Sequence, residues 1–182
     1  FALALANNSD GHSIYPLLEL YQRIGDASVV PDLEKGVAST SAWRYQAALA
    51  LSELPDGVGV PALIKLAQNP QIGAQDQGDL AYRALAQVAS KYPDARNALI
   101  EQARAGQVPV TAWPAIASAL SGTYVFSYGY QVFGLPENLP MIAPSQIPQQ
   151  VALLDQLIAA TSDAAAQAAL REHRAALATR IK

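Results

Sequence analysis

Two histidines, His12 and His173, and two carboxylate pairs, Asp32/Glu34 and Asp76/Asp79, are the residues best suited to acid–base or metal chemistry in this chain. A catalytic constellation must bring a nucleophile, a base and an orienting group within reach of one another. These candidates do not read that way. The histidines stand near opposite ends of the sequence with no HExxH pattern, and Glu172-His173 reads as a neighbouring pair on a charged helix face. Both carboxylate pairs look like helix-start or solvated-face residues. A zinc site would need ligands beyond these, and with no cysteine the chain has no disulfide, no thiolate metal ligand and no thiol nucleophile. GxSxG, the phosphate-binding GxxxxGKS/T and a strand-linked GxGxxG are missing too, and Gly57-Val58-Gly59 falls in a turn between helices. The expectation is a chain with no catalytic residues of its own, no metal and no cofactor.

A second group of residues suits binding. Between Ala105 and Leu154 the only charged residue is Glu137, and inside that span Tyr124, Phe126, Tyr128 and Tyr130 alternate, followed by Phe133. Period two suggests an extended run or small hairpin bending near Ser127–Gly129, and Pro136, Pro140, Pro144 and Pro148 keep a helix from starting until Gln149. Loops this long are uncommon in compact domains and are often functional. Two readings stay open. The loop folds back over the end of the helices with its rings buried, or it forms an uncharged aromatic wall for a peptide, a glycan or a protein.

The rest of the composition narrows the class. Apolar residues make up 51% and charged residues 15%, against a usual charged share of about 25%. Such a chain has ample apolar surface to bury, and 182 residues suffice for one substantial core. The net charge of -3 and the scattered Lys and Arg argue against nucleic acid as partner. The longest charge-free stretch, Ala105 to Pro136, is broken by Gln107, Pro109 and Pro114, so no transmembrane helix is expected. The start at Phe1 suggests an excised domain or a processed product, and the Ala/Gln-rich, Lys-poor style suggests a bacterial source.

The elements that would position these residues repeat. Asp26, Pro31 and Leu33 recur as Asp56, Pro61 and Leu63; Tyr45, Ala47 and Leu51 recur as Tyr82, Ala84 and Val88; Trp43 is echoed by Trp113. These offsets fit four units with a period of about 35 residues. Each unit reads as two helices. The first carries apolar residues at helical spacing, such as Ala47, Leu51 and Leu54, after a hydroxyl cap from Ser39 to Ser41 or from Thr111. A turn marked by Gly25-Asp26, Pro55-Asp56-Gly57 or Pro93-Asp94 leads to a second helix with proline in or near its first turn. Both tryptophans read as wide apolar plates between units. Arg44 and Arg83, at equivalent positions of first helices, suggest a ladder to the turn aspartates or, alternatively, an anion-binding row.

Arg44, Ala47-Ala48, Leu51, Pro55-Asp56 and VPALIKLA together resemble HEAT repeats, in particular the short type first associated with phycobilisome lyases; the resemblance covers roughly residues 14–120. It implies an all-α fold, a right-handed α-α superhelix of about four hairpins, with second helices along a concave face. On that geometry Lys35, Lys65, Asn97 and Glu101 face the concave side. It implies binding of a protein or peptide more often than chemistry, and no bilin-lyase activity follows from it. The expected layout is a single domain over 1–182, with repeat units over 14–120, an aromatic, proline-rich insertion over 121–148 and a C-terminal helical cap over 149–182. The leading functional expectation is a noncatalytic scaffold within a larger bacterial protein. The alternatives are an accessory helical domain of an envelope or cell-wall enzyme whose chemistry lies elsewhere, and a structural spacer or oligomerisation module. The sequence leaves the compartment open between periplasm or envelope and cytoplasm.

Overall fold

Proline opens five of the eight α-helices among the described residues. In the computed structural model, which describes residues 20–21, 23–38, 44–69, 77–122 and 142–180, Pro31 and Pro61 stand second in helices α1 (Val30–Ala38) and α3 (Val60–Ala67). Pro93 stands first in α5 (Pro93–Arg104). In a first turn the N–H that proline lacks has no partner within the helix anyway, and its fixed φ suits the helix. The first helices between them are α2 (Arg44–Glu53), α4 (Gln77–Val88) and α6 (Trp113–Ser121), and α7 (Ile147–Ala160) and α8 (Ala164–Ala178) follow. Short 3-10 turns precede α1, α6 and α7 and link α2 to α3, and no strand occurs among the described residues. The expected all-α, helical-repeat class is what the chain forms.

The described residues fall into two compact units, one ending at Leu85 and the other beginning at Ala86, within α4. In the first unit α1, α2 and α3 pack against one another. Leu33 and Val37 of α1, Ala47 and Leu51 of α2, Leu54, and Leu63 and Leu66 of α3 are all buried. Their spacing of three or four residues aligns each set on one face of its helix. A fully buried leucine stabilises by about 2 kcal/mol relative to an exposed one, so this cluster holds the three helices together.

The turn aspartates, alike in sequence, do different work. Gly25 takes φ 66° and lets Asp26 cap the next turn, with the Ser28 N–H donating to Asp26 Oδ1 at 2.7 Å. Hydrogen bonding from Ser28, from its hydroxyl first and its N–H second, holds the Asp26 carboxyl below its usual range. At the second turn Asp56 itself is left-handed, φ 54°, followed by Gly57 at 72°. Asp tolerates that region better than most residues. Two residues on, Gly59 comes so close to α2 that a Cβ there would fall on the Leu51 carbonyl oxygen.

In the second unit α5 packs on α7, α6 packs on α7 and α8, and α7 packs on α8. Two of these relations recur in the first unit, where α3 packs on both α1 and α2. So α7 stands to α5 as α3 stands to α1, with the part of a second helix. Helix α7 begins at Ile147 with Pro148 in its first turn, earlier than the proline run suggests from sequence. Thr111 is not the cap of α6: it lies in a 3-10 turn over Val110–Ala112, and the capping position is Ala112, with no side-chain cap bond. Trp113 is buried, as its reading as a core plate requires, whereas Trp43 lies outside the described residues.

The turn from α7 to α8 is tightly satisfied. Asp163 caps α8 by accepting from the Ala166 N–H at 2.7 Å. The Gln167 amide donates back to the Ile158 and Thr161 carbonyls, two acceptors that the end of α7 would otherwise leave to water. Arg174 pairs with Asp155 across the two helices at 2.9 Å. No helix among the described residues is long and apolar enough to cross a membrane.

Candidate functional site

The four polar positions expected on second helices, Lys35, Lys65, Asn97 and Glu101, are all exposed. In the first unit Lys65 of α3 reaches back to α1, its Nζ 3.2 Å from Glu34 Oε1. The lysine side chain is 75% exposed and the glutamate 23%, so solvent screens the pair and its net contribution is small. It nevertheless places opposite charges side by side along the α1–α3 row. Lys35 lies next to Glu34 on α1.

In the second unit α5 and α7 leave between them a groove of about 480 Å³. Arg96, Asn97, Ile100 and Arg104 line it from α5, and Gln156, Ala159 and Ala160 from α7. The α5 residues follow helical spacing and so form one stripe, while the two alanines leave room on the facing side. Among the described residues no carboxylate lines the groove. Glu101 stands beside it on α5 and makes no ion pair with Arg104 among the described residues, and Asp155, next to Gln156, is held by Arg174 of α8. Asn97 is thus brought to a concave feature, while Lys35 and Lys65 belong to the other unit. Arg96 and Arg104 are residues that sequence reasoning missed, because Asp94 and Glu101 stand close to them along the chain.

Among the described residues, those suited to chemistry are engaged by their neighbours. Asp32 accepts from the Tyr21 hydroxyl at 3.2 Å, and burial followed by the nearby carboxylate raises the Tyr21 pKa. The partner of Glu34 is Lys65. Burial likewise pushes the Tyr82 hydroxyl up to about 12. His173, expected on a charged outer face, is instead half-buried against α6, its Nδ1 2.8 Å from Ser121 Oγ. That distance resembles a nucleophile and its base, but Ser121 is 1% exposed and its Oγ also reaches the Ser118 carbonyl at 3.2 Å. Arg180 donates to the Ser121 and Ile142 carbonyls, placing a cation at the C-terminal end of α6, where the helix dipole favours one. Gly122 closes α6 with φ 68°, and a Cβ there would lie 2.8 Å from Ile142. The group is a clasp on a helix end. Among the described residues no three His, Asp or Glu side chains are grouped to hold a metal.

His12, Asp76 and the side chain of Asp79 lie outside the described residues, as do Tyr124, Phe126, Tyr128, Tyr130 and Phe133.

Helical hairpins that stack second helix on second helix define the class: an all-α helical-repeat protein. Within that class, residues 43–69, which contain α2, the left-handed turn and α3, match the family described as PBS lyase HEAT-like repeat. No curated protein and no solved structure matches the chain.

Proposed function

We propose that this chain is a noncatalytic scaffold that binds a protein or peptide along the outward rows of its second helices. The observation that carries the reading is the shared pairing of second helices, α1 with α3 and α5 with α7, with Lys35, Lys65, Asn97 and Glu101 exposed on them. A hairpin of this kind buries its apolar faces against its neighbours, and the rows left outward form a surface that a partner chain can follow. The HEAT-like match over 43–69 supports the same reading, since such repeats commonly serve protein interaction. Buried Ser121, beside His173, gives a substrate no access to its hydroxyl, which favours binding over catalysis.

Panning a random peptide display library against the full chain tests this. Enriched peptides whose binding protects α1, α3, α5 or α7 from hydrogen exchange are expected. No enrichment over a blank surface, or protection that avoids all four helices, overturns it.

A further inference from the structure

We infer that the groove between α5 and α7 is a docking site for an acidic peptide segment of a protein partner, held by Arg96 and Arg104. The inference rests on the scaffold reading above and names the place and the chemistry of the partner.

Three observations carry it. First, the groove has a volume of about 480 Å³ and is lined by two guanidinium-bearing side chains and no carboxylate. Neither guanidinium has a hydrogen-bond or ion-pair partner among the described residues, although the chain as a whole is acidic, with net charge -3. Second, Arg96 closes the first turn of α5, whose capping residue is Tyr92. A cation there opposes the helix dipole, which favours anions at that end. Arg104 in the last turn suits the dipole, so Arg96 is the residue whose position the helix itself does not explain. Third, the remaining polar lining, Asn97 and Gln156, consists of amides that can donate to and accept from a peptide main chain, while Ala159 and Ala160 leave space for it.

The spacing sets the ligand. Eight residues of helix separate Arg96 from Arg104, a rise of about 12 Å. An extended peptide advances about 3.3 Å per residue, so carboxylates four residues apart match that span and project from the same side. Each would meet a planar guanidinium that suits bidentate pairing. Nucleic acid fits less well, because the lining offers only two cations and no aromatic ring for base stacking.

The test uses the full chain and a fluorescein-labelled peptide with glutamate at every fourth position in a Ser/Ala background, read by anisotropy. A matched peptide with glutamine at those positions and a single-stranded oligonucleotide serve as comparisons. Saturable binding of the glutamate peptide, weakened by salt and absent with the glutamine peptide, is expected. Arg96→Gln weakens it about tenfold and Arg104→Gln, more exposed, about threefold. Ala159→Trp, which fills the groove without touching charge, abolishes it. Arg171→Gln, an exposed arginine on α8 bonded to Gln167, leaves it unchanged, and circular dichroism confirms that each variant folds. Binding that survives the double arginine substitution, absence of binding, or tighter binding of the oligonucleotide at the same two arginines overturns the docking site. If the display library nevertheless enriches other peptides, the scaffold reading stands without this groove; if it enriches none, that reading fails first.

Discussion

The two rows of second helices are built alike and finished differently. In the first unit α1 and α3 carry their own counter-charge, with Lys65 of one helix paired to Glu34 of the other. In the second unit α5 and α7 part around a groove whose two arginines face no carboxylate of the lining. Burial of Leu33 and Leu63 in one unit and of Leu99 and Leu154 in the other shows that both pairs are anchored by the same kind of apolar contact. What separates them is the outward row. Small side chains and unmatched cations leave space and charge open in one place, and an ion pair closes them in the other. A repeat therefore fixes where a row lies, while a few surface residues decide whether that row is available to a partner.

The comparison treats the units as separate packing problems, and core substitutions can break that. Trp113→Ala removes the largest buried side chain of α6, 3% exposed, and should lower stability by about 3–5 kcal/mol. In hydrogen exchange the loss should fall on residues 93–121 and 147–178 far more than on 30–67. Gly59→Ala is the converse. Its Cβ would meet the backbone oxygen of Leu51, which has no rotamer by which to yield, so about 3 kcal/mol is expected. Protection should be lost first over 44–67. Equal loss in both regions from either variant would mean one cooperative body, and the comparison would have to be made across a single core.

Much of this architecture is legible in the sequence because local physics writes it. Proline at 31, 61 and 93 marks helix starts wherever the chain folds, and Leu33/Val37, Leu63/Leu66 and Leu99/Ala103 are spaced to share a face. The part of α7 is not legible, since the long connection after α6 breaks the period that would have matched it to α3. Nor is the clasp, because Ser121 and His173 are 52 residues apart and nothing local in either segment announces the other. The groove escaped for a different reason. Along the sequence Arg96 and Arg104 have acidic neighbours in Asp94 and Glu101, and only geometry shows that neither pair forms. Lys65, by contrast, has no acidic residue close to it along the chain, and its partner stands 31 residues away on another helix.

A milder change sharpens the account of the second row. Gln150 of α7 is 4% exposed, and its Oε1 has no hydrogen-bond partner among the described residues. Burying an unsatisfied acceptor costs about 1–3 kcal/mol, so a similar-sized apolar side chain should relieve part of it. Gln150→Met is expected to raise stability by about 1 kcal/mol in urea unfolding without altering peptide binding in the groove. A fall in stability would show instead that the amide is satisfied in solution and that α7 is tied down more firmly than its contacts indicate.

The smallest effect on stability belongs to Glu34→Gln, and it bears most directly on the difference between the rows. Removing one partner of a pair whose lysine is 75% exposed should change stability by less than about 0.5 kcal/mol. Its consequence for binding has a definite sign. Lys65 loses its neighbouring carboxylate while Lys35 remains exposed beside the substituted position, so the α1–α3 row acquires the unmatched positive charge that the α5–α7 row already has. The glutamate peptide should then show a second, weaker site that disappears at moderate salt, because exposed charges are screened over about 10 Å at 0.1 M. Arg96→Gln should leave this new site untouched. If no second site appears, unmatched charge alone does not make a row receptive. The cavity between α5 and α7, with its alanines and amides, would then be the property that distinguishes the second row from the first.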